Sequence, residues 1–493
     1  MDDLRENRLK KLQELVDRGV NPYGGRFDRR DTAADCRDRY QEGREVAVAG
    51  RLTAIRGHGK AVFADLRDSS GKIQLYLRRD VLGEQAFETV NLLDLGDIVG
   101  ARGTLFTTRK GEISVMVREV TLLSKALQPL PEKWHGLQDR ETRYRRRYLD
   151  LIVNEEVSAL FRNRSRIIRE IRLFLEERGF LEVETPMMQA LAGGAAAKPF
   201  QTYYSALDAK MFLRIAPELY LKRLLVGGFE KIFELNRSFR NEGLSRKHNP
   251  EFTMLEIYEA YGDCRTMMEL VESLITHVAG KVCGSLRLEQ GDAVIDLERP
   301  WKRVRYRDLI TGYLARPDWF SLPPAEMAAI AAGRRLEISA SMSPVEITHE
   351  IYEKCVESGL IQPTFVLELP AELVPLARRR EDDPGVVDVF ELVVNGSELA
   401  PGYSELNDPL EQRRRFQEQA AGRPPTAPDT GERIDEDFLE AMETGMPPAG
   451  GTGIGIDRLV MLLTGSSSIR DVILFPQLRP MTDDRNDDVR PEK

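Results

Sequence analysis

The densest group of chemically useful side chains lies between residues 239 and 252. It contains Arg240, Glu242, Arg246 and His248 and ends at Phe252. Guanidinium and imidazole groups are hydrogen-bond donors suited to a polyphosphate. A surface loop with ordinary salt bridges is the alternative interpretation of these residues.

Two apolar segments, residues 231–236 and 252–261, flank this group. A hairpin with a long charged loop is one interpretation. The second segment could also be a helix, with Asn249 as its cap and Pro250 in its first turn. If it is a strand, one face carries an aromatic platform, a carboxylate and a phenol, supplied by Phe252, Met254, Glu256 and Tyr258.

A pair of carboxylates lies on either side of Asn395-Gly396. Asn-Gly between apolar segments predicts a type I′ hairpin turn. In that register Val393 lies opposite Glu398, and Glu391 lies diagonally from Glu398 on the same face, roughly 7 to 8 Å away by backbone. Two carboxylates so placed repel each other unless a cation lies between them, and Mg²⁺ prefers such ligands. A solvated acidic edge is the alternative.

A glycine-rich segment, residues 450–455, precedes Asp457 and Arg458. Glycines allow a strand to pack closely against a ligand, and Asp457 could cap a helix that begins at Arg458. A helix start that carries an arginine suits an anion. A tight turn is the simpler alternative.

These segments together offer phosphate donors, a magnesium pair and an aromatic platform. The five histidines, His58, His135, His248, His277 and His349, are isolated in sequence, and no Ser/His/Asp or Cys/His set competes. We therefore expect nucleotide chemistry driven by positioning and charge neutralisation.

The elements that must position these residues form an α+β protein. Residues 4–18 predict an amphipathic helix. Strands at 46–56, 61–66 and 73–77, a helix at 81–93, and strands at 98–107 and 113–122 follow the order of a five-stranded OB-fold barrel. The predicted domains are a helical extension (1–43), the OB domain (44–124), a linker containing Pro129 and Pro131 (125–150) and a larger mixed domain (151–493).

Charge separates the two ends of this 493-residue chain. Residues 44–147 carry 19 basic and 13 acidic residues, a net charge of +6, whereas the whole chain carries −9. A basic module on an acidic body predicts that the front of the molecule holds a polyanion. The sequence contains no run of about 18 apolar residues and no apolar leader, and its four cysteines are scattered. These features predict a cytoplasmic protein that does not contact a membrane.

Over nearly its whole length the chain resembles the bacterial-type class II lysyl-tRNA synthetases. Residues 181–186 with the preceding helix resemble the first class II signature, residues 239–252 the second and residues 453–458 the third. Residues 193–197, 216–222 and 403–408 resemble stretches specific to the lysine enzymes. The resemblance implies an anticodon-binding OB domain and a catalytic domain with an antiparallel sheet flanked by helices. It also implies a strand at Phe252 and a homodimer formed through the first signature.

The resemblance also implies roles for individual residues. Arg240 and Arg458 would be catalytic. ATP would be bound by Arg240, Glu242, His248, Phe252 and Arg458, and Mg²⁺ by Glu391 and Glu398. Lysine would be bound by Gly194, Glu218, Arg240, Glu256, Tyr258, Tyr403 and Glu405. The anticodon would be read by Phe63, Gln74 and Glu119.

One position departs from the family pattern. Pro401 stands where the family commonly has an asparagine that contacts the amino acid, and proline cannot make that contact. The pocket carboxylates nevertheless require a cationic substrate, because buried unpaired carboxylates are costly. This requirement disfavours the related aspartyl and asparaginyl enzymes.

The predicted function is the activation of L-lysine with ATP and its transfer to the 3′ end of tRNA(Lys). A paralogue that lysylates a protein such as elongation factor P is an enzymatic alternative, disfavoured by the OB domain. An inactive RNA-binding regulator is the non-enzymatic alternative. It is disfavoured because Arg240, Glu391, Glu398 and Arg458 are all present.

Overall fold

The computed structural model describes residues 2–57, 59–131, 137–195, 197–291, 293–339, 341–421 and 434–480. The chain divides into two compact units, Met1–Gln138 and Asp139–Lys493. The predicted linker, residues 125–150, spans this division. Its residues 132–136 lie outside the described residues, and its second half contains the helix Arg140–Arg145 and the start of the helix Arg147–Val153.

The first unit is the predicted five-stranded barrel. Its strands are β1 (Glu45–Arg56), β2 (Ala61–Asp68), β3 (Gly71–Arg78), β4 (Ile98–Thr107) and β5 (Ile113–Ser124). They close in the order β1-β2-β3-β5-β4. The helices of this unit are α1 (Asp2–Asp17), α2 (Ala33–Asp38), α3 (Arg79–Leu82) and α4 (Glu84–Asn91). The OB-fold prediction is confirmed, although the single helix predicted at 81–93 is interrupted at Gly83, whose φ of +81° ends α3.

The helical extension packs onto the barrel core. Leu15 of α1 and the α2 residues Ala33 and Cys36 are fully buried with apolar residues of the barrel strands. Lys125, directly after β5, is also fully buried, and its Nζ lies 2.6 Å from Asp94 and 2.9 Å from Asp97. An internal ion pair thus joins the end of β5 to the turn before β4.

The second unit is built on an eight-stranded sheet. The strands of the unit are β6 (Leu181–Glu182), β7 (Met188–Gln189), β8 (Gln201–Tyr204), β9 (Ala209–Leu213), β10 (Lys231–Phe239), β11 (Glu251–Ala260), β12 (Arg287–Gln290), β13 (Ala293–Asp296), β14 (Lys302–Arg305), β15 (Thr364–Leu367), β16 (Val389–Val394), β17 (Ser397–Ser404) and β18 (Ala449–Gly455). The sheet has the order β14-β15-β16-β17-β18-β11-β10-β6. The pairs β14/β15 and β10/β6 at its two edges are parallel, and the central pairs are antiparallel.

Helices cover one face of this sheet. Ile171, Val271 and Leu459, from three different helices, are fully buried against Leu255 and Leu392 of the sheet. The helices of the unit are α5 (Arg140–Arg145), α6 (Arg147–Val153), α7 (Glu155–Glu176), α8 (Glu218–Val226), α9 (Cys264–Cys283), α10 (Tyr306–Leu314), α11 (Pro324–Ala332), α12 (Pro344–Ile351), α13 (Pro409–Ala421), α14 (Glu436–Glu443), α15 (Ile456–Thr464) and α16 (Ile469–Val472). The predicted α+β class and the helix-flanked sheet are confirmed.

A helix in the described ranges would have to be both long and apolar to span a membrane. In that part of the chain, no helix meets both requirements.

Candidate active site

The opposite face of the sheet carries the predicted site residues. On β11, Leu255 and Ile257 face the helical core, so the alternate residues Phe252, Glu256 and Tyr258 lie on the other face. The segment is a strand, as the resemblance implied, and the helix alternative is wrong. Strand alternation therefore delivers an aromatic ring, a carboxylate and a phenol to one surface.

A cavity lies where the β10–β11 hairpin meets the start of α15. Residues predicted to bind ATP or magnesium are among those that line it, together with Pro401: Arg240, Glu242, His248, Phe252, Glu398 and Arg458. The hairpin and the sheet thus bring together side chains that are up to 218 positions apart in sequence.

Arg240 leaves the end of β10, and its backbone amide donates to the carbonyl of Pro250, which closes the hairpin loop at 2.9 Å. Its guanidinium lies 5.2 Å from the centroid of the Phe252 ring, a cation–π distance. Its Nε is buried without a hydrogen-bond partner among the described residues. A buried, unpartnered guanidinium nitrogen suits an anionic ligand.

His248 connects the hairpin loop to Arg458. Its Nδ1 lies 2.9 Å from Ser245 Oγ, and its Nε2 lies 3.2 Å from a terminal nitrogen of Arg458. Burial and the charge of Arg458 lower the pKa of His248, so the ring is neutral at pH 7. Because Arg458 can only donate, the neutral ring accepts at Nε2 and carries its proton on Nδ1, beside Ser245.

Arg458 is held on its other side by β17. It donates to the carbonyl of Glu398 at 2.6 Å, and its guanidinium lies 3.7 Å from the Glu398 carboxylate. The expectation that Asp457 caps a helix starting at Arg458 is wrong, because α15 begins at Ile456. Asp457 instead accepts from the Thr253 amide at 2.8 Å and pairs with Arg164 at 2.6 Å. It joins β11 to α15 and α7.

The carboxylate pair Glu391 and Glu398 lies at the β16–β17 hairpin. Asn395 and Gly396 have φ values of +53° and +65°, as a type I′ turn requires, and Val393 pairs with Glu398 as predicted. The regular register predicted beyond that pair is wrong. A β-bulge pairs Leu392 with Ala400 and Glu391 with Pro401. One extra residue of β17 therefore lies between Glu398 and the position opposite Glu391.

The two glutamates still interact through space. Burial, and then the charge of Glu398, raise the pKa of Glu391 to about 8. Sequence reasoning missed Glu357, whose carboxylate accepts from the Glu398 amide at 2.8 Å and whose pKa is raised chiefly by burial. Within the described ranges, no group of three or more acidic, histidine or cysteine side chains is arranged to hold a metal ion. Two protein carboxylates with room for phosphate oxygens and water are the kind of ligand set that Mg²⁺ accepts.

Glu218, Glu256 and Glu405 form a second acidic cluster, with exposures of 5%, 7% and 2%. The Tyr258 hydroxyl donates to Glu256 at 3.2 Å, and the Tyr403 hydroxyl donates to Glu218 at 2.7 Å. Burial, and then the charge of Glu218, raise the pKa of Glu256 to about 8. The structure therefore brings the predicted lysine-binding carboxylates and phenols together.

Sequence reasoning missed the cation in this cluster. Lys222 of α8 has a side-chain exposure of 0%, and its Nζ lies 2.7 Å from Glu218 Oε1 and 2.5 Å from Glu405 Oε2. Burial opposes its charge, but Glu218 and Glu405 raise the pKa of Lys222 above its ordinary value. The spacing of Glu218 and Lys222, four residues apart on a helix, was the signal available in the sequence.

Glycines make room for the acidic cluster. Gly451 pairs with Tyr258 and Gly453 with Glu256 across β11 and β18. A Cβ at Gly451 would lie 1.9 Å from Glu405 Oε1, and one at Gly453 would lie 2.8 Å from Met254. The glycine segment predicted to pack against a ligand is thus a strand that makes space for carboxylates.

Gly194 lies next to Glu218 of the acidic cluster and has a φ of +87°, a conformation that favours glycine. A Cβ there would lie 3.3 Å from Ala216 and 3.4 Å from Glu218. Pro401 is on the central strand β17 beside the bulge, and its carbonyl accepts from Thr452 at 2.8 Å. The proline is therefore accommodated where the register of β17 has already shifted.

The three predicted anticodon residues lie on the barrel of the first unit. Phe63 stacks on Tyr76 with ring centroids 4.3 Å apart, and Gln74 hydrogen-bonds Ser114 and Glu112. Glu119 is exposed and lies 3.7 Å from Arg102. Sequence reasoning missed Tyr76, which extends the aromatic surface of Phe63 toward Phe106, 5.8 Å away.

Two protein families match this chain. Residues 139–479 match the family described as tRNA synthetases class II (D, K and N). Residues 46–123 match the OB-fold nucleic acid binding domain family. The two matches fall on the two compact units.

Proteins with the name lysine–tRNA ligase align over nearly the whole chain. The chain is 55% identical to that of Moorella thermoacetica over 97% of this chain and 98% of the relative. It is 52% identical to that of Pelotomaculum thermopropionicum, covering 97% and 96%, and 50% identical to that of Staphylococcus saprophyticus, covering 97% and 99%. By its family matches, and by this identity over almost its full length, the chain belongs to the class II lysine–tRNA ligase family.

Proposed function

We propose that this protein activates L-lysine with ATP to form lysyl-adenylate and then transfers lysine to the 3′ end of tRNA(Lys). One observation carries the proposal. A buried acidic cluster, Glu218, Glu256 and Glu405, shares a sheet face with residues of the cavity that Arg240 and Arg458 line. The carboxylates of the cluster are suited to bind an amino acid with two ammonium groups, and the arginines of the cavity are suited to bind a triphosphate.

In the first step, the lysine carboxylate attacks the α-phosphorus of ATP, the bond to the β-phosphate breaks, and pyrophosphate leaves. No protein base is needed, because the nucleophile is already ionised. We assign Arg240 to the α-phosphate and the lysine carboxylate, because its buried Nε has no partner among the described residues. We assign Arg458 to the γ-phosphate and to one face of the adenine, opposite Phe252. Glu242 and His248 would complete the ATP site.

We assign the substrate amines to the acidic cluster. Glu218 and the backbone at Gly194 would receive the α-amino group, and Glu256 and Glu405 the side-chain ammonium. Tyr258 would hydrogen-bond that ammonium, and Tyr403 would line the alkyl chain. The raised pKa of Glu256, about 8 because of burial and Glu218, supports this assignment, since a buried carboxylate is stabilised by an incoming cation.

We assign magnesium to Glu391 and Glu398. Burial, and then the charge of Glu398, raise the pKa of Glu391, and a divalent cation between the two carboxylates would relieve their repulsion. Bound there, Mg²⁺ would neutralise charge on the phosphate oxygens of ATP.

We propose residues 44–124 as the anticodon-binding domain, with Phe63, Gln74 and Glu119 reading the anticodon. Residues 1–43 would be its helical extension, 125–150 the connection and 151–493 the catalytic domain. We also propose a homodimer formed through α7 and the edge strand β6. The two residues of β6, Leu181 and Glu182, are exposed. A cytoplasmic location is supported by four free thiols.

The proposed first step is tested by ATP–pyrophosphate exchange screened over all the standard amino acids. Exchange that depends on lysine and magnesium is expected. Exchange driven best by another amino acid, or absent with all of them, would refute the proposal.

The proposed second step is tested by charging tRNA(Lys) and, in parallel, elongation factor P. Phe63→Ala should lower kcat/KM for tRNA about tenfold, within the range for one lost base stack, while leaving ATP–pyrophosphate exchange unchanged. Glu84→Ala, on the exposed surface of α4, is the control and should not lower charging, because it removes a negative charge from the barrel unit. Lysylation of the protein factor in preference to tRNA would favour the paralogue.

A further inference from the structure

The acidic cluster contains its own ammonium. Lys222 is fully buried, and its Nζ lies 2.7 Å from Glu218 and 2.5 Å from Glu405. These are two of the carboxylates to which the proposed function assigns the α-amino group and the side-chain ammonium of the substrate. One internal cation therefore contacts two of the three carboxylates that are proposed to bind the two ammonium groups of lysine, and Glu256 is the third.

Without substrate, the cluster has more carboxyl groups than cations. Glu218, Glu256 and Glu405 supply three carboxyl groups, and Lys222 supplies one ammonium within contact distance of two of them. Removing that ammonium would leave the buried carboxyl groups with no cation among them, which favours protonation of the cluster further. A protonated carboxyl group no longer attracts the substrate amines.

We propose that Lys222 is a positioning and specificity-determining residue, which orients Glu218 and Glu405 and favours the ionised form of Glu405, so that the site selects a diamino acid. The proposal rests on the function given above and deepens it. Lys222 acts through the two carboxylates, which it contacts within hydrogen-bonding distance from α8. We therefore expect it to govern lysine binding rather than ATP binding.

Groups from every neighbouring element bear on the pH dependence. Glu218 is on α8 with Lys222, and Glu256 and Tyr258 are on β11. Tyr403 is at the end of β17, and Glu405 directly follows that strand. Arg240 also lowers the pKa of Glu256, although burial and Glu218 raise it more. Burial raises the pKa of Glu405 to about 8 despite the opposing effect of Lys222. Removing Lys222 should raise it further, so the fraction of ionised Glu405 at pH 7 should fall.

The test is Lys222→Met in the full chain, measured by ATP–pyrophosphate exchange between pH 6.5 and 8.5. KM for lysine should rise by roughly 30-fold or more, the scale for loss of one member of a buried charge pair. KM for ATP and kcat should change much less. The ratio of variant to wild-type KM for lysine should narrow as pH rises, because Glu405 then ionises without help.

Lys125→Met provides a matched control. Lys125 is also fully buried between two carboxylates, Asp94 and Asp97, but it lies in the barrel unit. The Lys125→Met variant should lose thermal stability, as the Lys222→Met variant does, but it should keep the wild-type KM for lysine. If Lys222→Met does not fold, Lys222→Gln carries the same expectation, and Lys222→Arg should restore the wild-type pH profile.

The inference fails if neutral variants at position 222 keep the wild-type KM for lysine. It also fails if KM for lysine and KM for ATP rise together with no change in pH profile, because that result indicates only a loosened fold. A wild-type protein that does not use lysine would refute the proposed function instead, so the two failures are distinguishable.

Discussion

Two acidic clusters lie on the same face of one sheet, and they balance their charge differently. Glu391 and Glu398 lie across β16 and β17 with Glu357 beside them. Glu218, Glu256 and Glu405 surround β18 and the end of β11. Burial raises the pKa of Glu391, Glu256 and Glu405 to about 8 in both clusters.

The difference lies in the cation that the protein itself provides. The second cluster contains Lys222 at 2.5 to 2.7 Å from two of its carboxylates. The first has Arg458 at 3.7 Å from Glu398, on the side where ATP is proposed to bind. A cluster with an internal ammonium needs only monovalent amines to complete it. A cluster without one favours a divalent ion that arrives with the nucleotide.

The largest effect is expected at Glu256, the pocket carboxylate that Lys222 does not contact. Glu256→Gln should lower kcat/KM for lysine by roughly 10³-fold to 10⁴-fold, because a site built for polar contacts rejects a substrate that no longer pairs. KM for ATP should stay near its wild-type value. ATP–pyrophosphate exchange at varied lysine and fixed ATP measures both.

Glu272→Gln is the matched control for that change. Glu272 is also buried, at 2% exposure, but it pairs with Arg299 and Arg303 away from the pocket. It should lower stability while lysine KM is retained. Equal losses of lysine activation in both variants would contradict a specific role for Glu256.

The next effect concerns the first cluster. Glu391→Gln and Glu398→Gln should each weaken magnesium-dependent activation by about 2 kcal/mol or more, within the range for a lost transition-state charge contact. Magnesium titrations of the exchange rate measure this, with KM for lysine as the internal control. Unchanged magnesium dependence in both variants would contradict the assignment of magnesium to Glu391 and Glu398.

A third effect, of about tenfold or more in KM for lysine per pH unit, follows from Glu256, and the raised pKa of Glu405 adds to it. The pKa of Glu256 in the lysine-free protein is about 8, so lysine must displace a proton below that pH. KM for lysine should therefore fall as pH rises from 6.5 and level off above about 8. Rising pH should improve lysine binding but lower the free energy of unfolding of the lysine-free protein. The folded protein binds more protons than the unfolded chain between the ordinary pKa of 4.5 and 8, so stability should decrease as pH rises through this window.

Thermal unfolding of the lysine-free protein checks that sign, and added lysine should restore part of the lost stability above pH 7. A stability that rises steadily from pH 5 to pH 8, with lysine KM constant, would contradict the raised pKa.

The smallest effect is expected at Pro401, which lies between the two clusters on β17. Pro401→Asn should leave lysine activation intact or lower KM for lysine a few-fold, because it adds a hydrogen-bonding group without changing charge. Norleucine should remain a poor substrate for both proteins. Wild-type protein that activates norleucine as well as lysine would show that the acidic pocket is misassigned.

Short-range patterns predicted much of this architecture. The Asn395-Gly396 turn is a local signal, and the structure has the type I′ turn. The residues of 252–261 left helix and strand open, and the shared face of β11 followed once the resemblance had implied a strand. The barrel order also followed from strand periodicity. These features depend on residues close together in the chain, where sequence spacing and spatial spacing agree.

Long-range and irregular features could not be predicted in the same way. The β-bulge before Pro401 depends on how β17 fits between β16 and β18. The partners of Asp457 come from β11 and α7, so its local capping pattern was misleading. No local pattern marks Lys222 as a buried residue. Its burial becomes evident only when Glu405, 183 residues later, is placed beside it.

The glycine strand β18 has a consequence for local opening of the sheet. Four of its seven residues are glycine, yet it lies in the middle of the sheet, between β17 and β11. Glycine loses more backbone entropy on folding than other residues, so the hydrogen bonds of this strand hold with less net free energy. We expect its amides to exchange with solvent faster than those of β10 or β16, and to slow when ligands occupy the face above it.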